Sequence, residues 1–255
     1  MSWTDLLLLF FAGGAAGLIN TVVGTGTLIT FPTLLALGVP PLLANVSNSI
    51  GLAPGSISGA LASRQELVGQ RGRILRYGIA SLLGAVGGAL LLLRLPSEAF
   101  DAIVPALIGL GCVLVVVGPW LSRRVAARRE RLGTPAGPAD GPRWLFAEIV
   151  VTGAYGGYFG AAQGVLVIAI MGVALSETLP RINGLKNVLT GIANAVAGVV
   201  VVVISQVSWP IVAALAVGSV LGAQVGARVG RRIPPTVYRV VIVTVGVAAI
   251  VNLLV

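Results

Sequence analysis

The sequence predicts an all-α polytopic membrane protein built from two inverted repeats, and three observations lead to this fold class. Apolar residues make up 56% of the 255 residues and charged residues only 10%, with a mean hydropathy of +1.00. A soluble domain carries about 25% charged residues, so this chain cannot supply a water-facing shell. The apolar residues form about eight segments of membrane-spanning length, and the order of these segments repeats on either side of a basic linker.

The apolar segments cover residues 6–37, 42–63, 77–93, 100–121, 144–175, 179–204, 209–227 and 237–254. About 20 apolar residues suffice for a helix to cross a bilayer, so most segments predict one span each. The first and fifth are longer and contain the glycine-rich stretches GGAAGLINTVVGTGTLITFP and GAYGGYFGAAQGVL. Glycine at that density interrupts a helix, and broken backbone is tolerated at membrane depth only where protein or a polar cavity covers it. We therefore predict that these two segments are discontinuous or re-entrant.

A linker at residues 122–142, rich in arginine, proline and glycine, separates a first membrane repeat, residues 1–121, from a second, residues 143–255. A gapless offset of 139 residues pairs Gly14 with Gly153, Pro41 with Pro180, Asn48 with Asn187 and Pro96 with Pro235. Some identities arise by chance in a glycine-rich chain. The shared order of segments therefore carries more weight than the individual matches.

The basic residues predict the sidedness of the loops. Fourteen of the 17 lysines and arginines lie in three blocks, at residues 64–76, 123–143 and 228–239. Cytoplasmic loops are rich in these residues. If all three blocks are cytoplasmic, an even number of crossings must separate the second block from the third, although three segments lie between them. One of these segments must then enter and leave the membrane on the same side, and the glycine-rich fifth segment is the natural choice. If the first behaves alike, both termini lie outside and the halves are inverted copies; the alternative is eight ordinary crossings with one basic loop on the wrong side.

Missing residue types exclude several functions. The chain has one cysteine, Cys112, and no histidine, which excludes internal disulfides, cysteine or histidine metal clusters and histidine acid-base catalysis. It lacks the GxxxxGK[ST] motif, so it does not use ATP directly. The net charge of +9 lies in loops between apolar segments, which indicates topology rather than nucleic-acid binding. We expect no cofactor and no resident metal.

Lys186 is the strongest candidate for a functional side chain. Inverted repeats joined through broken helices are typical of secondary transporters, whose substrates bind near the membrane midplane. Lys186 is the only lysine and lies in an apolar segment, where an ionisable group marks a functional site. On a helix it shares a stripe with Asn183, Asn187 and Asn194, and one cation among amides suits an oxyanion. The alternative is that Lys186 extends to the membrane interface or pairs with Glu177, while the asparagines hold helices together.

The first half contains a related polar set. Under the 139-residue offset, Ser47 and Asn48 match Lys186 and Asn187, so the stripe recurs without its charge. The GTGT stretch would expose backbone N–H groups and hydroxyls, which commonly bind an anion at a helix start. Glycines that permit close helix packing are the alternative reading of both breaks. The candidate substrate-binding residues are Gly24, Thr25, Gly26, Asn45, Ser47, Asn48, Gln163, Gly164, Asn183, Lys186, Asn187 and Asn194.

Two stretches resemble the sulfite exporter TauE/SafE family of membrane permeases. GLINTVVGTGTLITFPTLLALGVPPLLANVSNS is similar to the amino-terminal signature of the family, and LPRINGLKNVLTGIANAVAG is similar to its second-half signature. The resemblance covers nearly the whole chain. It implies export, or sometimes import, of small sulfur-containing anions, and it carries over Asn48, Asn183, Lys186 and Asn187 as site positions. The first signature departs from the family at Asn20, where an acidic residue is common, and at its Ser-Asn-Ser triplet, which lacks a lysine.

We therefore expect a secondary transporter that exports a small sulfur-containing oxyanion, such as sulfite or an organosulfonate, across the bacterial inner membrane. Two half-units would rock about a central site in alternating access. The expected partners are the substrate anion, the lipid bilayer and a coupling proton or ion, without nucleic acid; a homodimer and a monomer both remain open. The alternatives are an accessory membrane subunit of a larger complex and, with less support, an intramembrane enzyme, which would need a histidine or paired acids that the membrane segments lack.

Overall fold

The computed structural model describes residues 1–132, 140–202 and 207–254. Within these ranges the chain forms ten α-helices and one short 3-10 helix and no strand, which confirms the all-α fold class. The helices are α1 (Trp3–Val22), α2 (Thr27–Ala36), α3 (Pro41–Ala62), α4 (Arg71–Arg94), α5 (Ser97–Leu132), α6 (Arg143–Tyr158), α7 (Gln163–Ala174), α8 (Leu179–Val202), α9 (Trp209–Val229) and α10 (Pro235–Leu254). The 3-10 helix, Gly230–Arg232, follows α9 directly.

Close glycine contacts show which helices run parallel. Gly218, Gly222 and Gly226 of α9 contact Phe10, Gly14 and Leu18 of α1 in that order, so α1 and α9 are parallel. Gly84 and Gly88 of α4 contact Val150 and Ala154 of α6 in the same way, so α4 and α6 are also parallel. Small residues at these positions let the two backbones approach closely. The first helix of each half thus packs along the fourth helix of the other half.

The third helices of the two halves cross in opposite directions at the centre. Gly198 and Gly191 of α8 contact Ile50 and Ser56 of α3, so residue numbers fall along one helix as they rise along the other. Hydrogen bonds place α3 parallel to α9 (Ser219 to Gly51, Gln224 to Ser58) and α8 parallel to α4 (Gln70 to Arg181, Ser81 to Leu189). Equivalent helices of the two halves therefore run in opposite directions, which confirms the inverted repeat.

The structure also corrects the register of the repeat. α3, α4 and α5 begin at residues 41, 71 and 97, and α8, α9 and α10 begin at 179, 209 and 235, a constant separation of 138 residues. Asn48 therefore corresponds to Lys186, and Asn45 to Asn183, whereas the gapless offset of 139 paired Ser47 with Lys186. The physical reason is that α3 begins 38 residues after α1 and α8 begins 36 residues after α6, so one gapless offset cannot hold throughout.

The first and fifth apolar segments are re-entrant, as predicted. α1 and α2 are separated by four residues in which Gly24 has φ +88°, and α6 and α7 by four in which Gly160 has φ +75°. A positive φ suits glycine and turns the chain sharply. Thr27 at the start of α2 bonds Asn48 in the middle third of α3, and α2 then leads back to the beginning of α3. Since α3 runs parallel to α1, the chain returns to the side from which α1 entered.

The described basic loops lie at one end of the bundle. Arg73 at the start of α4 pairs with Glu177, just before α8, at 2.6 Å. Arg76 donates to the carbonyl of Asp140, just before α6, at 3.3 Å. Gly230 at the end of α9 contacts Val22 at the end of α1. Because cytoplasmic loops are enriched in arginine and lysine, we predict that this end faces the cytoplasm and that the amino terminus lies outside.

The four tryptophans mark the two membrane interfaces. Trp3 and Trp209 begin α1 and α9 at the outer end of the bundle, and both are exposed. Trp144 at the start of α6 and Trp120 toward the inner end of α5 are exposed at the cytoplasmic end. Tryptophan is enriched at membrane-water interfaces. Five helices of the described chain are long and apolar enough to cross a membrane, namely α1, α4, α8, α9 and the first 22 residues of α5.

Helix α5 extends beyond the boundary that the sequence predicts between the two halves. α5 continues to Leu132, through about half of the segment 122–142 that the sequence assigns to the linker. Residues 133–139 of that linker lie outside the described residues. The domain bounds 1–121, 122–142 and 143–255 therefore stay predictions.

Candidate functional site

The two glycine-rich breaks touch each other. The N–H of Gly164 donates to the carbonyl of Gly24 at 3.1 Å. A Cβ atom on Gly24 would lie 2.5 Å from Cα of Gly164, and a Cβ on Gly164 would lie equally close to Cα of Gly24. Both positions therefore require glycine for this close approach. The same junction touches Lys186, whose Cδ atom is 3.1 Å from the Cβ position of Gly24.

Lys186 is completely buried and anchors α8 to the end of α1. Its Nζ atom donates to the carbonyl of Asn20 at 2.6 Å and to that of Thr21 at 3.3 Å. The last carbonyls of a helix carry a partial negative charge, which stabilises a cation placed against them. Lys186 therefore does not extend to the membrane interface. Nor does it pair with Glu177, which binds Arg73 and Arg181 instead.

The ammonium group of Lys186 keeps donor capacity. An ammonium has three N–H donors, and the carbonyls of Asn20 and Thr21 take two of them. The third proton has no acceptor among the described residues. A buried cation with a donor to spare is the main chemical feature of this site.

Asn183 and Asn45 form matching hydrogen bonds in the two halves. The amide nitrogen of Asn183 donates to the carbonyl of Thr21 at 3.0 Å, at the end of α1. The amide nitrogen of Asn45 donates to the carbonyl of Tyr158 at 2.9 Å, at the end of α6. The side-chain oxygen of each asparagine is buried without a hydrogen-bond partner in the described structure. Each third helix thus holds the broken helix of the other half.

Asn48, the structural counterpart of Lys186, makes different contacts. Its amide nitrogen donates to the hydroxyl of Thr27 at 3.3 Å, and its oxygen accepts from the hydroxyl of Thr30 in a short hydrogen bond. Both threonines belong to the first turn of α2. Asn48 therefore positions the start of α2.

The start of α2 presents unpaired donors. Gly26 precedes the helix without a side-chain cap, and its own Cβ position is blocked by the carbonyl of Ala16 at 2.6 Å. Among the described residues, the N–H groups of Thr25, Gly26 and Thr27 meet no acceptor. The hydroxyl of Thr25 is also buried without a partner. Unpaired N–H groups at a helix start favour an anion.

The remaining predicted residues lie around this junction at different depths. Gln163 packs its amide against Gly156 of α6, and its amide nitrogen has no partner in the described structure. Ser47 is buried, and its hydroxyl is likewise unpartnered there. The side-chain oxygen of Asn194 lies 3.9 Å from the Cβ position of Gly160 in the second break. The polar stripe on α8 therefore extends from the first break, at Asn183 and Lys186, to the second.

Asn187 lines a pocket toward the cytoplasmic end. The pocket has a volume of about 340 Å³ and lies between α3 and α8, where Ile57, Leu61, Leu67 and Arg64 also line it. The amide nitrogen of Asn187 has no hydrogen-bond partner in the described structure. Its accessible lining is apolar, and Ile57 and Leu61 are exposed on the surface of the bundle.

The sequence did not reveal three residues that shape the site. Asn20, Thr21 and Tyr158 act through backbone carbonyls, which every residue type provides, so their identity carries little signal. All three lie within the two glycine-rich stretches, and the sequence singled out Asn20 only as a departure from the family signature. The described residues contain no group of three or more histidine, cysteine or acidic side chains that could hold a metal.

Two inverted repeats, each with an interrupted helix and with polar groups at the junction of the interruptions, are typical of secondary transporters. A model of the family described as sulfite exporter TauE/SafE matches residues 9–253. The chain belongs to the TauE/SafE family, as its two signatures predicted. It is therefore a multi-pass inner-membrane transporter and not an enzyme.

Related proteins agree with this class. A probable membrane transporter protein of Haemophilus influenzae is 26% identical over 84% of this chain and 81% of its own length. The probable membrane transporter protein YfcA of Escherichia coli K12 is 30% identical over 61% of this chain and 55% of its own. The probable membrane transporter protein ORF9 of a Sinorhizobium species is 36% identical over 40% of each chain. No solved structure shows a significant match.

Proposed function

We propose that this transporter exports a small sulfur-containing oxyanion, such as sulfite or an organosulfonate, by alternating access. The observation that carries the proposal is the buried ammonium of Lys186, with one donor to spare, beside the unpaired donors at the start of α2. The description of the family as sulfite exporters supports the substrate class and the direction.

The anion would bind at the junction of the two breaks. The N–H groups of Thr25, Gly26 and Thr27 and the hydroxyl of Thr25 would donate to its oxygens, and the third proton of Lys186 would complete the set. Charge-assisted hydrogen bonds of this kind are roughly twice as strong as neutral ones. A sulfur oxyanion offers several acceptor oxygens around one atom, which suits donors that come from different elements.

The moving units would combine helices of both repeats. α1, α3 and α9 run parallel and pack closely, and so do α4, α6 and α8. A separate buried apolar cluster joins α4, α6, α7 and α8 around Met171 and Leu185. We therefore assign alternating access to these two mixed units, in place of the sequence halves. The units meet along α3 and α8 and at Gly24 and Gly164.

The pocket between α3 and α8 would form the cytoplasmic approach to the site. It extends from Arg64, in the basic loop, to Asn187 on the polar stripe of α8. The positive loops attract anions to this end of the bundle.

Thermal unfolding of the purified protein tests the proposal. Sulfite, sulfate, thiosulfate and sulfoacetate are titrated at constant ionic strength, with choline chloride as the control. A ligand at 100 times its Kd stabilises the folded state by about 2.7 kcal/mol. We expect a selective rise in Tm with a sulfur oxyanion, and no rise with any of the four anions would contradict the proposed substrate class.

Matched variants locate the binding site in the same assay. Lys186→Met removes the cation at the site, whereas Arg181→Gln removes a cation from the same helix at the cytoplasmic end. We expect the oxyanion response to vanish in the first and persist in the second. Transport by the purified chain alone in proteoliposomes would argue against the alternative of an accessory subunit.

A further inference from the structure

The carboxyl ends of α1 and α6 are equivalent in backbone structure. The carbonyl of Ile19 accepts the N–H groups of Val23 and Gly24, and the carbonyl of Tyr155 accepts those of Phe159 and Gly160. The two residues that follow Ile19 are Asn20 and Thr21, which bind Lys186. Their counterparts after Tyr155 are Gly156 and Gly157.

The two helix ends differ in the charge placed against them. At α1 the ammonium of Lys186 binds the carbonyls of Asn20 and Thr21. At α6 the counterpart of Lys186 is Asn48, which bonds the threonines of α2 instead. Within the described residues no donor reaches the carbonyls of Gly156 or Gly157. The partial negative charge at the end of α6 is therefore left without a cation.

Two buried amide side chains lie against this uncompensated end. Asn45 is 1% exposed, and its nitrogen bonds the carbonyl of Tyr158, so its unpartnered oxygen lies beside the last turn of α6. Gln163 is 2% exposed and packs its amide on Gly156, and its amide nitrogen has no partner in the described structure. A half-turn of the Gln163 amide exchanges its oxygen and nitrogen positions. With that half-turn, each side chain would present an oxygen at the last turn of α6, Gln163 at Gly156 and Asn45 beside Tyr158.

We propose that the end of α6 is a binding site for a monovalent cation of the Na⁺ type. The ligands would be the carbonyls of Gly156 and Gly157 and the side-chain oxygens of Asn45 and Gln163. All four are neutral oxygens, whereas calcium and magnesium sites include carboxylates. Helix carboxyl ends and interrupted backbone coordinate Na⁺ in other secondary transporters. Na⁺ would bind the carbonyls at the end of α6 as the ammonium of Lys186 binds the carbonyls at the end of α1.

This site would couple the cation to the anion, and this part of the inference rests on the proposed function. Gln163 is followed by Gly164, which bonds Gly24 at the junction where the anion would bind. A cation at the end of α6 adds positive charge beside that junction, so cation and anion each favour the binding of the other. The movement of the oxyanion would then draw on a cation gradient.

The test measures Na⁺ binding without any oxyanion substrate. The Tm of the purified protein is recorded in NaCl and in choline chloride at equal ionic strength, and binding of ²²Na⁺ is measured at equilibrium. We expect saturable stabilisation by Na⁺ and saturable ²²Na⁺ binding. Equal Tm in the two salts, together with no ²²Na⁺ binding, would overturn the site.

Three variants test the ligand assignment. Asn45→Leu and Gln163→Met remove one amide each, and Gln163→Met does so at similar volume. Ser49→Ala is the control, because Ser49 lies one turn from Asn45 on α3 and bonds only its own helix, at 3.0 Å. We expect the Na⁺ response to disappear in the first two and persist in Ser49→Ala; its persistence in both amide variants would overturn the assignment. Because the assay contains no oxyanion, its failure would leave the anion site at Lys186 untouched.

Discussion

Gly164 donates its backbone N–H to the carbonyl of Gly24, and this hydrogen bond joins the two broken segments. Neither residue has room for a Cβ atom, because each Cα lies 2.5 Å from the Cβ position of the other. The junction therefore depends on two glycines from opposite halves of the chain. Lys186 lies against both of them.

Gly164→Ala should separate the two breaks. Alanine favours helix α7 by about 1 kcal/mol in propensity, but overpacking at a closed contact costs about 1–3 kcal/mol and displaces the donors of the site. We expect anion affinity to fall by about tenfold or more, at about 1.4 kcal/mol per factor of ten. Gly87→Ala, where a Cβ meets no atom within 4 Å, is the control. Equal affinities in the two variants would argue against the junction as the binding site.

Disulfides test which helices move together, in a chain whose only cysteine, Cys112, is first replaced by alanine. A Cβ on Gly198 of α8 lies 3.6 Å from Cβ of Ile50 on α3, which suits a disulfide between the two proposed units. A Cβ on Gly230 lies 3.7 Å from Cβ of Val22, within one unit. We expect oxidation to block transport in Ile50→Cys/Gly198→Cys and to spare it in Val22→Cys/Gly230→Cys. Full transport by the first oxidised pair would contradict the mixed units.

Glu177 links α4 to α8 at the cytoplasmic end, and this link should depend on pH. Burial raises the pKa of the carboxyl group, but hydrogen bonds and charges from Arg73 and Arg181 lower it by more. The pKa therefore lies below its ordinary value. Such a group stabilises the fold above its unfolded-state pKa and loses this effect as pH falls through the folded-state pKa. The group is only partly buried, so we expect Glu177→Gln to cost about 0.5–1 kcal/mol at neutral pH.

Thermal unfolding of wild type and Glu177→Gln across pH measures this contribution. The difference in Tm should be constant from about pH 7 to about pH 5 and should shrink at lower pH. Arg94→Gln is a suitable control, because it removes a charge from the opposite end of α4. A difference that grows on acidification would contradict the assigned ion pairs.

Single cysteines in the cysteine-free chain test the sidedness. Arg232 is exposed at the cytoplasmic end beyond α9, and Glu98 is exposed at the outer start of α5. We expect a membrane-impermeant maleimide to label Glu98→Cys in intact cells and to label Arg232→Cys only after the membrane is permeabilised. Labelling of Arg232→Cys from outside would exclude the inverted topology.

Much of the fold follows from residue patterns that the sequence displays directly. Glycine density predicted both broken segments, because glycine lowers helix stability wherever it occurs. The arginine blocks predicted that the basic loops share one end of the bundle, since charge distribution acts independently of packing detail. The pairing of α1 with α9 and of α4 with α6 could not be predicted, because it depends on which glycine faces meet in three dimensions.

The site was predicted in part. The burial of Lys186 followed from its place in an apolar segment, but its partners did not, because the carbonyls of Asn20 and Thr21 leave no mark in the sequence. The counterpart of Lys186 was misplaced by one residue, since the two broken segments differ in length by two residues. With the corrected register, the residue of the first half that is equivalent to Lys186 is the neutral Asn48.

The central claim is that the ammonium of Lys186 holds the transported anion, and uptake of ³⁵S-sulfite into proteoliposomes tests it most directly. Wild type, Lys186→Met and Arg181→Gln are reconstituted after gel filtration shows that each variant is folded and monodisperse. We predict uptake by wild type and Arg181→Gln and none above protein-free liposomes by Lys186→Met. Uptake by Lys186→Met at the wild-type rate would contradict the claim and reduce Lys186 to a structural link between α8 and α1.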